Sequence, residues 1–343
     1  MIKKLFAPFN ILRMILIEHR FLAYRKYAEI KKRYGVDCVI CFCATLGTGD
    51  YYFSGMYLKA WLKKNNITNC VFNVLTPKHL SITKLFDYMS LYTCYIGDDT
   101  YLNKFKFFMG KTAVDYHYFL HVGSRAGDRG FLEMQPNPSY LLGYKGFSLM
   151  DCYLCLGFEL PDNTRTEAAK FSDDIDELDE IISSVKAIRG KTVLISPYAA
   201  SYIDFPSCFW NRIVLSLKQR GYRVLTNVGQ NEEPLWGTIP LYLPYKLSVP
   251  FLDFAGNFIG VRSGLCDIIS TSVCKKVVIH PYHAFNWQNG TSFGFTSLNG
   301  MGICDDAVEL VMSDFNENEF EVSEEVVRVF NFIPYSTNIL ING

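Results

Sequence analysis

This chain repeats one arrangement: a short apolar run stops at a turn of small residues and passes into a helical stretch. The clearest instance is Ala255 to Pro281, AGNFIGVRSGLCDIISTSVCKKVVIHP. Phe258–Val261 reads as a buried strand, Arg262-Ser263-Gly264 as a turn, Leu265–Thr271 as a short helix and Val277–Ile279 as the next strand. Strands joined through helices lie parallel in one sheet with both faces covered. The alternation therefore confines the chain to an α/β class with doubly wound sheets.

Both halves carry the pattern. In the first, Val36–Ala44 reads as a strand, Gly47-Thr48-Gly49-Asp50 as a turn and Tyr51–Lys64 as a helix with Met56, Leu58, Trp61 and Leu62 facing inward. Strands at Asn69–Leu75, Thr93–Ile96 and Val114–Val122 and a helix at Pro77–Met89 follow. In the second, strands are expected at Thr192–Ser196, Tyr222–Asn227 and Pro240–Leu243, with helices at Pro206–Arg220 and Ser248–Phe254. Helical patterns at Phe147–Leu156 and Leu178–Ile188 lie between the halves, beside the acidic run Asp173, Asp174, Asp176, Glu177 and Asp179. The expected organisation is a basic amphipathic segment 1–34, a doubly wound domain 35–165, an acidic hinge and linking helix 166–190, and a second doubly wound domain 191–343. Ligands of such a pair are expected in a cleft between the strands' carboxyl ends.

A net charge of zero over 343 residues gives no field to attract nucleic acid. The 11 Cys are scattered, many of them inside apolar runs, and read as reduced, buried hydrophobes. Cys152-x-x-Cys155 has no second Cys pair or His pair at ligand spacing, so no metal or cofactor is expected. No apolar run is long enough to cross a bilayer. Segment 1–34 nevertheless sets nine Lys and Arg against Glu18 and Glu29, interleaved with Leu, Ile and Phe. Such a helix suits either an anionic membrane surface or the protein's own core with a solvated basic face. The expected location is cytoplasmic, peripheral on the inner face of the plasma membrane.

Helix amides after Ser263-Gly264 favour an anion, with Ser263 adding a hydroxyl, Gly264 allowing close approach and Arg262 offering a guanidinium fork. An ordinary strand–loop–helix connection explains the same residues. Gly47-Thr-Gly-Asp50 lacks the third Gly of the dinucleotide fingerprint and the Lys of a P-loop. Its Asp50 either accepts a proton from a substrate hydroxyl or caps the helix. Ser196, Tyr198 and Ser201 around the Pro197–Ser201 loop, and Asn227, Gly229 and Glu232 at the next turn, are further ligand-binding candidates. Gly47, Thr48, Gly49 and Arg125 are candidates on the first domain's side of the cleft. His117 and His121 read as structural, His280 and His283 flank a strand end, and Asp305-Asp306 reads as a helix start.

Four of these places resemble the ADP-heptose:lipopolysaccharide heptosyltransferase family. Leu46-Gly-Thr-Gly-Asp50 is similar to that family's N-terminal turn. Ile195-Ser-Pro-Tyr-Ala-Ala-Ser201, with Trp210-Asn-Arg-Ile and Gly221-Tyr-Arg-Val-Leu225, is similar to its "HPGAS…W…GY" region. Asn227-Val-Gly229 with Glu232 is similar to its "GG…E" turn, and Gly260-Val-Arg-Ser-Gly264 to "GxDSGxxH". The motif's Asp is Arg262 here, its His is Asp267, and Tyr202–Pro206 lacks the basic residue that follows the "HPGAS" loop. The resemblance spans about residues 36–285. It implies a GT-B fold, two Rossmann-like domains facing a cleft, and a metal-independent glycosyltransferase acting in lipopolysaccharide, O-antigen or capsule synthesis. It further implies a nucleotide-sugar donor with its diphosphate at Ser263, Gly264, Leu265, Asp267 and Arg262, a glycan or lipid-linked acceptor, and Asp50 as base. An epimerase of the same fold and a non-catalytic nucleotide-sugar or glycan-binding relative remain open.

Overall fold

The computed structural model describes residues 23–43, 47–96, 116–119, 148–199, 204–281, 293–312, 319–332 and 339–340. Residues 1–22, Arg125, Ser201 and His283 lie outside them. The chain divides into two compact units. The first takes in Met1–Leu46, Phe53–Pro136 and Cys152–Ala169, and the second Gly47–Tyr52, Asn137–Asp151 and Lys170–Gly343.

In the first unit, α1 (Ala23–Tyr34) leads into β1 (Val39–Cys43). Its last turn packs on its own unit: Ile30 is buried, and Lys31 Nζ donates to Cys38 O at 2.6 Å and Val36 O at 3.0 Å. Helix α2 (Thr48–Lys64) buries Leu58, Trp61 and Leu62 and exposes Lys59, Lys63 and Lys64, as the periodicity requires. Strands β2 (Cys70–Val74), β3 (Thr93–Ile96) and β4 (Tyr116–Phe119) complete a parallel sheet of order β3-β2-β1-β4. The helix expected over Pro77–Met89 stops early. Helix α3 (Pro77–Thr83) is capped by Thr76, whose Oγ1 accepts from His79 N, and Asp87–Leu91 forms a separate 3-10 turn. Among the other described segments, α4 (Leu149–Asp151) runs into a π-helical stretch Cys152–Gly157.

The second unit's α5 (Ile175–Ser184), which buries none of its residues, is capped by Asp174, whose carboxylate accepts from Glu177 N at 3.1 Å. Then come β5 (Thr192–Ser196), α6 (Ser207–Gln219), β6 (Arg223–Asn227), β7 (Ile239–Leu241), α7 (Tyr245–Ala255), β8 (Gly256–Val261), α8 (Gly264–Ile268), β9 (Lys275–His280), α9 (Phe293–Thr296), β10 (Ala307–Val311), α10 (Glu319–Phe332) and β11 (Ile339–Leu340). The strands form one parallel sheet of order β11-β10-β9-β8-β5-β6-β7. Strand β5 lies where the order reverses and is buried along its whole length. Phe209, Trp210, Ile213, Val214 and Leu217 of α6, with Val326 and Phe330 of α10, join Val193, Ile195, Ile259 and Val277 in one core. Each large side chain so buried contributes about 1.5–3 kcal/mol.

Gly256 closes α7 at φ +86°, where a Cβ would also lie 2.8 Å from Gly190 Cα; glycine meets both demands. The structure corrects one expectation here. Asp305-Asp306 begins no helix: strand β10 follows at once. Ala307-Val-Glu-Leu-Val311 is fully buried beside β9, so tertiary burial overrides the acidic helix-start signal.

Candidate functional site

In the second unit the sheet reverses between β5 and β8, with Ser196 paired to Gly260 at their carboxyl ends. Ligands of doubly wound sheets bind outside such a point. The predicted loops converge there because their strands are neighbours. Ser196 itself is buried, and Tyr198 beyond it is half-buried, its hydroxyl donating to Glu233 O at 2.7 Å. After β6, Asn227 and Gly229 are half-buried and Glu232 is exposed. Glu232 Oε2 accepts from Gly229 N at 2.6 Å, so this carboxylate braces its own turn.

After β8, Ser263 has extended backbone (φ −153°) and occupies the N-cap of α8 with no side-chain capping bond; its hydroxyl lies 4.0 Å from Cys266 Sγ. Ser263 and Gly264 are half-buried, while Leu265 and Asp267 are buried. Arg262 departs from the sequence expectation of an open fork. It is 4% exposed, donating from Nε to Thr296 O (2.7 Å), from Nη1 to Ser263 O (2.6 Å) and from both Nη atoms to Asp267 (2.6 and 3.3 Å). The Arg262 stem lies beneath the loop, so its guanidinium fixes the loop's backbone and the first turn of α8. Asp267 is spoken for by the same pair. Burial pushes its carboxyl up from 3.8 to about 6, Arg262 pulls it down, and the charge of Asp50 adds a smaller push upward.

Gly47–Tyr52 falls in this second unit. Gly47 is exposed, Thr48 and Asp50 are half-buried, and Gly49 is buried. Asp50 stands in the first turn of α2. A Cβ on Gly264 would lie 2.2 Å from Gly49 N, and one on Gly49 2.5 Å from Asp267 Oδ2. The two glycine turns are therefore in backbone contact, which explains why both are glycine.

Sequence reasoning missed a second buried cluster. Glu309, on β10 and fully buried, accepts from His280 Nε2 (2.8 Å), Ser297 Oγ (2.7 Å), Leu298 N (2.9 Å) and Asn299 N (3.2 Å). Burial works to raise its carboxyl, but His280 and these donors outweigh it and hold it below the ordinary value. His280 is the last residue of β9; burial lowers it from 6.5 against the pull of Glu309, and its Nε2 faces the Glu309 carboxylate. Besides His280, already noted at a strand end, the signal was a charged residue inside the apolar run Ala307–Val311.

The buried thiols fit the reading of inert cysteines, with burial pushing Cys38, Cys266 and Cys274 up to about 11. Among the described residues no group of three or more His, Cys, Asp or Glu is arranged to hold a metal ion, and no helix is long and apolar enough to cross a membrane.

No protein family matches the chain, and no curated protein matches it in sequence. Solved structures do resemble it. ADP-heptose lipopolysaccharide heptosyltransferase II of E. coli is 12% identical, over 85% of this chain and 97% of that one, with a TM-score of 0.55. A glycosyl transferase family 9 protein of Veillonella parvula is 13% identical, over 84% and 90%, at 0.48. The iron-containing dodecameric glycosyltransferase TibC of enterotoxigenic E. coli is 18% identical, over 71% and 60%, at 0.43. At such identities the likeness is one of architecture: this chain has a GT-B fold, the fold of that E. coli heptosyltransferase II structure.

Proposed function

We propose that this protein is a glycosyltransferase that moves a sugar from a nucleotide-activated donor to a glycan or lipid-linked acceptor in cell-surface polysaccharide synthesis. The observation that carries the reading is the convergence of three small-residue loops, after β5, β6 and β8, at the carboxyl edge of a sheet with a heptosyltransferase fold. The donor's diphosphate would rest on the backbone of Ser263, Gly264 and Leu265. Ser196, Arg262 and Asp267, all buried, would shape that backbone from beneath, and Arg262 would lend its charge to the departing diphosphate. Tyr198, Ser201, Asn227, Gly229 and Glu232 would meet the nucleoside. Asp50 would take the proton from the attacking hydroxyl, with Gly47, Thr48, Gly49 and Arg125 on the acceptor side. The reaction would proceed without a metal. Segment 1–34 would hold the enzyme against the anionic inner face of the plasma membrane through its first 22 residues, since Ile30 and Lys31 are occupied within the first unit.

Thermal unfolding with UDP, GDP, ADP, CMP or dTDP, each with EDTA, tests the donor side. A ligand of the folded state at 100 times its Kd stabilises by about 2.7 kcal/mol. A rise in midpoint with one nucleotide is expected; no rise with any of them in folded protein would overturn the donor site.

A further inference from the structure

Arg262 follows β8 and Glu309 lies on β10, yet they grip adjacent residues of one segment. Arg262 Nε donates to Thr296 O at 2.7 Å. Glu309 accepts from Ser297 Oγ and from the amides of Leu298 and Asn299. Ser297 Oγ also accepts from Gly300 N at 3.0 Å, closing the turn that presents those amides. The chain of contacts runs from β10, through residues 296–299, to Arg262, and from Arg262 to Ser263 O and Asp267. Every link is buried or part-buried, where hydrogen bonds to ionised groups are strong and their loss is costly.

His280 completes the arrangement. Its Nε2 reaches Glu309 at 2.8 Å, and its ring meets Phe293 edge-on, with centroids 5.1 Å apart. Its Nδ1 is buried without a hydrogen-bond partner among the described residues. The polar work of this ring therefore goes through one atom, the Nε2–H that orients Glu309. A carboxylate with four donors around two oxygens is fixed in rotation as well as place.

We propose that Glu309, oriented by His280, is a positioning residue for the loop Arg262–Gly264: it fixes residues 296–299, these fix the guanidinium of Arg262, and Arg262 fixes the backbone that a donor phosphate would rest on. The functional half of this inference rests on the glycosyltransferase reading; the structural half does not.

The test compares full-length wild type with Glu309→Gln, His280→Leu and His280→Gln by hydrogen exchange read peptide by peptide, and measures the affinity of each for ADP, UDP, GDP, CMP and dTDP. A Gln at 280 can still donate to Glu309 from a position near Nε2, whereas Leu cannot. The expected result is faster exchange in peptides covering 262–268 and 293–300 of Glu309→Gln and His280→Leu, by about tenfold or more. Peptides covering β5 and β6 keep wild-type rates, and His280→Gln stays near wild type throughout. The nucleotide that binds wild type binds Glu309→Gln and His280→Leu about tenfold more weakly, and His280→Gln as well as wild type. Faster exchange spread evenly over the sheet, or confined to 293–300 with 262–268 unchanged, overturns the proposal. So does a His280→Gln variant that behaves like His280→Leu. Should wild type bind none of the five nucleotides while the local exchange pattern holds, the donor reading falls and the positioning of the loop stands.

Discussion

Replacing Arg262 by Met removes a charge and every donor beneath the loop while keeping most of the stem. Asp267, 2% exposed, then faces burial alone. In wild type its carboxyl sits near 6 against an ordinary 3.8, with Arg262 opposing burial. A folded value above the unfolded one means that the folded state binds the proton more tightly. The corresponding stability is fully present below about pH 4 and is lost as pH rises towards 6, about 3 kcal/mol over 2.2 pH units at 1.36 kcal/mol each. Above that the wild-type contribution is flat. Without Arg262 the carboxyl titrates higher still, so the loss continues through neutrality at about 1.4 kcal/mol per pH unit. The carbonyls of Thr296 and Ser263 lose their donor as well, and breaking one side of a buried pair costs about 3–5 kcal/mol in all. For a unit of this size that is a drop of roughly 10 °C in midpoint.

Urea unfolding followed by the fluorescence of Trp210, which is buried in this unit, at pH 5 to 8 reads the slope. His280 also feels Arg262, and the double variant Arg262→Met/Asp267→Asn subtracts that effect because it lacks only the Asp267 titration. Relative to the double variant, stability of Arg262→Met should fall by about 2 kcal/mol between pH 6 and 7.5. An Arg262→Met profile parallel to wild type over that range would refute the account of the pair.

Other perturbations follow the same geometry. Gly264→Ala puts a methyl 2.2 Å from Gly49 N and 2.8 Å from Thr48 Cβ, so the midpoint should fall with a loss of about 1–3 kcal/mol; unchanged stability would show that the contact is not tight. Asp50→Asn should lower kcat by at least about 100-fold with little change in donor affinity, in a sugar-transfer assay once the donor is known; a near wild-type kcat would remove Asp50 as base. Lys276, fully buried at the amino edge of β9, donates to Ser272 O and Cys274 O and pairs with Asp306 at 2.8 Å. Lys276→Met should cost about 1–3 kcal/mol in urea unfolding, moderated because Asp306 is partly solvated, and leave transfer per folded molecule unchanged.

Two of the three departures from the family pattern were Arg262 for Asp and Asp267 for His. Counted along the chain these were separate departures. The structure shows them as the two ends of one buried ion pair, so each residue type makes the other tolerable.

The sequence by itself determined the class of the fold and the ends of the strands from which the loops spring. Those follow from period-2 and period-3.6 burial and from Gly, Pro and Ser at turns, all local properties. The register of β9 against β10 determined the rest, because it carries Glu309 to His280, 29 residues away in sequence. Whether a charged side chain in a loop reaches outward, as Arg262 was expected to, or turns under and is buried depends on which partners the sheet brings within about 3 Å. No local pattern encodes that distance.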